Sequence, residues 1–282
     1  MQEPIGSRVS LRASQLVRAT RLIGLFVLVG LLSVCALLAP GSTLARASKR
    51  RQPPAGLISW YKADGNAKDS RGHNNGTIYG GVSYAAGNPG KAFSFDGSTG
   101  YVSVGDPSDL RGNGRDFTIA ARVWFASNVS PVGSPSQPCH ADGGSGCDMS
   151  IVTKMAGVAE GSTPNSNGWR LVKQSDNHVW FCFGATDNGC VAGSTTTAIS
   201  TTAVVPDHWY EIVGVYNTTS GVSIYVNGQL QDNVSGAGAV NDDTAPMLFG
   251  YYPGESFLWG RLNEIQYFDR SLTGSQIRLL PD

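Results

Sequence analysis

The chain has 282 residues, of which 36 are glycine and 15% are charged, with aromatics at 9%. That is too apolar for a disordered chain and too aperiodic for collagen. The formal charge is zero, but residues 1–47 hold five Arg against one Glu and the remainder holds 16 basic against 20 acidic residues. A mildly acidic body gives no electrostatic reason to expect nucleic acid as a partner.

At the N-terminus Arg8, Arg12, Arg18 and Arg21 precede an apolar run at 22–40, and Ala45-Arg46-Ala47 follows as a small-x-small site. Basic, apolar, small is the layout of a secretory signal peptide. The run of about 19 residues is also long enough to cross a bilayer as a retained membrane anchor. Either way the body is expected outside the cytoplasm, secreted or on the cell surface. Residues 48–56, "SKRRQPPAG", read as a polar linker after the segment 1–47, and a single domain is expected over 57–282.

After "LISWY" comes "DGNAKDSRGHNNGT", rich in side-chain oxygens: Asp64, Asn66, Asp69, Asn74 and Asn75. Calcium takes six to eight such oxygens in irregular geometry. Asp and Asn also fill ordinary turns by bonding nearby backbone, so both readings stand. Asp96 opens an Asp-Gly turn and carries the same ambiguity. The runs "KAFSFDG", "YVSVGD", "FTIAARVWF", "SIVTK", "GWRLVK", "HVWFCF", "HWYEIVGVY", "VSIYVNGQLQ", "PMLFGYY" and "FLWGRLNEIQYF" follow. They are short, alternate at period two and are separated by turn residues. That pattern predicts an all-β, two-sheet antiparallel sandwich. Asn227-Gly228 predicts a tight hairpin. "SLTGSQIRLL" predicts a short C-terminal helix capped by Ser271 or Thr273, with Ile277 and Leu280 turned inward.

Outside the cytoplasm cysteines form disulfides. Cys35 lies in the apolar run, and Cys139, Cys147, Cys182 and Cys190 permit three pairings. Each near neighbour is eight positions away, which favours Cys139–Cys147 and Cys182–Cys190.

The order "FDGSTGYVSV", "FTIAARVWF", "IVTK", "WYEIVGVYNTTSGVSIYVNGQLQ" and "GRLNEIQYFDRSLTGSQI" resembles the laminin-G-like, concanavalin A-like jelly-roll superfamily over roughly residues 57–280. The resemblance implies a jelly roll of two packed sheets, usually non-catalytic, that binds glycans or proteins, commonly with one calcium ion. It also implies that the first and last strands lie side by side, which makes Glu264 a further candidate ligand beside Asp64, Asn66, Asp69 and Asn75. In that family the Trp of a motif like His208-Trp209-Tyr210 packs in the core.

Catalysis has little local support. Jelly-roll glucanases carry paired carboxylates at i, i+2 and i+4 of one strand. The five glutamates here are scattered, and no G-x-S-x-G elbow surrounds a nucleophile. Sugar sites use aromatic faces and a few hydrogen-bonding groups. Trp169, Trp180, Tyr251, Tyr252 and Trp259 are the candidate ligand contacts. The adjacent tyrosines are the most suggestive, because successive strand residues point to opposite faces. The expected function is an exported, non-catalytic binding module for an extracellular glycan or protein, with structural calcium. The alternatives are a carbohydrate-active enzyme on the same scaffold and a surface-anchored adhesion module.

Overall fold

The computed structural model describes residues 52–126, 148–155, 167–184, 190, 192–236, 238–240, 244–253 and 256–280. The apolar run at 22–40, Cys139 and Cys147 lie outside the described residues.

The chain runs through β1 (Leu57–Tyr61), β2 (Thr77–Tyr79), β3 (Val82–Ala86), β4 (Lys91–Asp96), β5 (Tyr101–Gly105) and β6 (Phe117–Phe125). It continues through β7 (Met149–Met155), β8 (Gly168–Lys173), β9 (His178–Gly184), β10 (Thr197–Ala203), β11 (Trp209–Asn217) and β12 (Gly221–Val226). Last come β13 (Gln229–Val234), β14 (Met247–Phe249), β15 (Tyr251–Tyr252), β16 (Ser256–Phe257), β17 (Trp259–Phe268) and the helix α1 (Gly274–Ile277). The first sheet has the order β13-β12-β11-β6-β17-β4-β3, with β1 also on β17; the second has the order β10-β9-β8-β7-β14-β5-β2. All pairings are antiparallel. The expected all-β sandwich with a short C-terminal helix is what the chain forms.

Period two does the sorting. In β6 the residues Phe117, Ile119, Ala121, Val123 and Phe125 enter the core between the sheets, and Arg122 and Trp124 between them point outward. Facing them, Trp169, Leu171, Phe181 and Phe183 come from the second sheet. Gly214 lets the layers meet closely: a Cβ there would stand 2.4 Å from the Phe181 ring.

A second apolar cluster covers part of the outer face of the first sheet. Val213, Val215 and Phe268 pack there under Leu272, Ile277 and Leu280. Thr273 caps α1, and a reciprocal pair with Gln276 completes a capping box. The hairpin between β12 and β13 turns on Asn227 and Gly228 with φ of 49° and 72°, the left-handed pair that a tight hairpin needs. Cys182 and Cys190 form the expected disulfide, with Cα atoms 5.1 Å apart.

Candidate functional site

The oxygen-rich first loop is held by the protein's own donors. Asp69 is buried; its Oδ1 accepts from the backbone N–H of Trp60 and of Arg71, each at 2.9 Å, and its Oδ2 accepts from Asn74 N–H at 3.3 Å. Burial alone would raise its pKa. The N–H groups of Gly72, Trp60 and Arg71 and the Ser59 hydroxyl outweigh that and hold it below the usual carboxylate value. Asn75 Oδ1 accepts from Asp69 N–H at 3.0 Å, Asn66 Oδ1 from Lys68 N–H at 2.9 Å, and exposed Asp64 Oδ1 from Lys91 N–H at 2.9 Å. Glu264 does lie beside β1, as the resemblance implied, and accepts from the indole N–H of Trp60. It sits at a bulge in β17 with a φ of 51°.

The three carboxylates among these five residues, Asp64, Asp69 and Glu264, are not gathered into one group. Among the described residues no group of three or more His, Cys, Asp or Glu side chains is placed to hold a metal. In this arrangement the oxygens of Asp64, Asn66, Asp69 and Asn75 accept from backbone N–H groups and Glu264 from an indole, bonds that tie loop to strand. Asp96 behaves alike: its Oδ1 accepts from the N–H groups of Ser98, Thr99 and Gly100, and its Oδ2 from the Thr99 hydroxyl. Those bonds outweigh burial and depress its pKa strongly.

The aromatic candidates separate sharply. Trp169 is fully buried among Phe117, Phe181 and Tyr267, so it is a core residue and not a ligand contact. Tyr252 is buried too, with the Arg170 guanidinium 4.8 Å from its ring centre. Trp180 is half-buried on β9, opposite Ile199. Trp259 is half-buried and packs on the main core.

Tyr251 reaches the surface within a ladder of rings. It stacks on Phe257 at 4.3 Å and meets Tyr101 at 5.1 Å, and Tyr101 stacks on Tyr79 at 4.8 Å. These ring contacts run across neighbouring strands and stabilise the sheet edge, while Tyr79 at the end of the ladder stays exposed. Tyr251 thus has one ring face stacked on Phe257 and a tilted contact with Tyr101.

A groove of about 390 Å³ lies instead on the outer face of the first sheet. Its floor is Arg122 of β6 with Trp209 and Glu211 of β11; Asn88 forms one wall, the Asn227-Gly228 turn another, and Arg278 closes one side. Cross-strand register explains the assembly. Trp209 pairs with Trp124, and Trp124 with Arg261; Glu211 pairs with Arg122, and Arg122 with Asn263. Two rows of outward side chains therefore lie side by side.

The walls are fixed by backbone. Asn227 Oδ1 accepts from Glu211 N–H at 2.9 Å, and Asn227 N–H donates to Glu211 O at 2.8 Å. Arg122 Nη1 donates to Asn88 O at 3.2 Å, and Arg261 Nη1 to Ala86 O at 3.3 Å. The Arg261 guanidinium also lies 4.4 Å from the Trp124 ring centre, a cation–π contact. Arg278 packs against Gly228, where an added Cβ would stand 3.1 Å from its Cγ.

Trp209 corrects an expectation. It is half-buried and lines the groove outside the main core, whereas its neighbour Tyr210 enters that core. The tripeptide His208-Trp209-Tyr210 alternates correctly, but the buried member is the tyrosine. The groove as a whole went unseen in the sequence because its residues come from separate stretches at 88, 122, 209–211, 227–228 and 278.

A family model described as the concanavalin A-like lectin/glucanases superfamily matches residues 96–278. The chain belongs to that superfamily. No curated protein sequence matches it. Among solved structures, domain 4 of an extracellular GH43 arabinanase from Geobacillus stearothermophilus, in complex with arabinotriose, is similar at a TM-score of 0.58 and 17% identity, covering 80% of this chain and 98% of that one. The binding domain of Paraclostridial Mosquitocidal Protein 1 is similar at 0.57 and 15% identity, covering 80% of this chain and 51% of that one. A botulinum neurotoxin type C structure, whose cell entry is described as dependent upon interaction with two ganglioside molecules, is similar at 0.55 and 17% identity, covering 80% and 50%. The chain thus spans about half the length of the two toxin structures. At such identities the likeness speaks for the fold.

Proposed function

We propose that this chain is a non-catalytic module that binds an extracellular glycan, and that the groove on the first sheet is its binding surface. The observation that carries this reading is the concavity of about 390 Å³ in which the half-buried indole of Trp209 stands with Asn88, Asn227, Arg122 and Glu211. An aromatic face suits the C–H side of a sugar ring, and fixed polar groups suit its hydroxyls. The arabinotriose bound to the similar arabinanase domain supports a glycan as ligand. The groove lining contains one carboxylate, Glu211, whereas glycoside hydrolysis uses two flanking the scissile bond. Binding without cleavage is what that lining favours. The basic and apolar N-terminal pattern supports export, so the ligand is met outside the cytoplasm.

A protein ligand is the second reading. The edge strand β2 exposes Ile78 and Tyr79, and an open strand edge can pair with a partner's strand.

The test is binding of a panel of neutral and acidic oligosaccharides by the full chain and by Trp209→Ala. At least one saccharide should bind, with affinity reduced about tenfold or more in the variant. No binding across the panel, or equal binding by the variant, would overturn the glycan reading.

A further inference from the structure

We infer that the groove and the row beside it take an acidic saccharide, one whose sugars carry carboxylate groups. This rests on the glycan reading above and names the ligand class for that site.

Charge is the first ground. Residues 48–282 carry 16 basic against 20 acidic side chains, so the body is acidic. Against that background the groove and its adjoining row gather Arg122, Arg261 and Arg278 against two glutamates, Glu211 in the groove and the buried Glu264, whose carboxylate feels the charge of Arg122. A local excess of positive charge on an acidic body selects an anionic ligand and speeds its arrival.

The second ground is the kind of cation. All three are arginines, whose planar fork matches a carboxylate with two parallel hydrogen bonds; a lysine would be only a point charge. The third ground is their support. Arg122 is held by the Asn88 carbonyl, and Arg261 by the Ala86 carbonyl and the Trp124 ring, so both guanidiniums are positioned by the turn between β3 and β4. Positioned side chains lose less entropy when a ligand arrives. Trp209, Trp124 and Arg261 form one cross-strand row over β11, β6 and β17, beside the row of Glu211, Arg122 and Asn263. The surface therefore sets two indoles and a guanidinium side by side on three strands, with Arg122 two residues along β6 from Trp124, which gives room for more than one sugar unit.

The experiment is a binding titration of the full chain against three probes: tetragalacturonate, its carboxyl-reduced neutral counterpart, and a neutral tetrasaccharide bearing sulfate esters. The variants are Arg278→Gln and Arg261→Gln, each checked for an unchanged melting temperature. Tetragalacturonate should bind at least about tenfold more tightly than the reduced form, weaken steeply with salt, and weaken about tenfold in each variant. Equal binding of the neutral counterpart, with a flat salt response, would overturn the acidic class and leave the glycan groove standing. Tighter binding of the sulfated probe would overturn the carboxylate in favour of sulfate. Loss of all three probes together would overturn both this inference and the reading beneath it.

Discussion

The indole of Trp60 donates to the carboxylate of Glu264, a residue 204 positions further along the chain. This bond joins β1 to the bulge of β17. Burial pushes the Glu264 pKa up from 4.5; the Trp60 bond and nearby Lys62 offset part of the rise, and Asp64 adds to it. A carboxyl raised in the fold favours the protonated folded state. Its contribution is complete below the unfolded value and is lost as pH rises through the folded one. Glu264→Gln keeps an acceptor for the indole and removes the titration. The melting temperature of the variant relative to the parent should climb as pH rises from about 4 to about 7. A difference that stays flat over that range would sink this account.

Asp69 makes the opposite prediction. Its pKa is depressed, so its contribution is present above the usual carboxylate range and disappears on acidification. Asp69→Ala strands the N–H groups of Trp60, Arg71 and Asn74, which costs about 1–3 kcal/mol. Because protein donors occupy its oxygens, that loss should be the same with added calcium and with chelator. A melting point that rises several degrees with calcium in the parent, and not in the variant, would restore the ion to this loop.

How far these features could be read in advance follows from their range along the chain. Alternation in "FTIAARVWF" is local, so the core face of β6 was legible. The same holds for Asn227-Gly228, whose turn chemistry needs no distant partner, and for Cys182–Cys190 once export is inferred. In β8 every residue of "GWRLVK" is buried, so alternation could not say that Trp169 is core and closed to ligand. Oxygen-rich loops are ambiguous for a different reason: the same Asp and Asn oxygens serve a metal or a backbone N–H, and only the distances decide. The groove depends on register between β6, β11 and β17, which is non-local, and no window of sequence contains it.

Trp209 and Tyr210 are neighbours with opposite fates, and paired variants separate them. Tyr210 belongs to the main core, and its hydroxyl accepts from Val205 N–H at 3.0 Å. Tyr210→Ala should cost about 3 kcal/mol or more, through the cavity and the orphaned donor. Trp209→Ala should cost clearly less, since the half-buried indole lies outside the main core, while weakening saccharide binding. Urea unfolding of both variants checks the contrast. Equal losses of stability would mean that the indole is a core group after all.

Gly214 tests how tightly the two sheets are pressed together. A Cβ at this position would stand 2.4 Å from Cδ2 of Phe181. The ring has little room to retreat, because Phe181 is fully buried and meets Phe117 edge-on at 6.0 Å and Trp169 at 6.3 Å. Gly214→Ala should therefore destabilise by about 1–3 kcal/mol through overpacking, although alanine is otherwise a mild substitution in a strand. Phe181→Leu alone leaves a void and is also destabilising. Combined, the two changes should cost less than the sum of the single costs, because the smaller leucine yields the space that the new methyl needs. A double-mutant cycle by urea unfolding measures that coupling. Strict additivity would mean that the sheets separate freely at Gly214 and that this contact does not set their spacing.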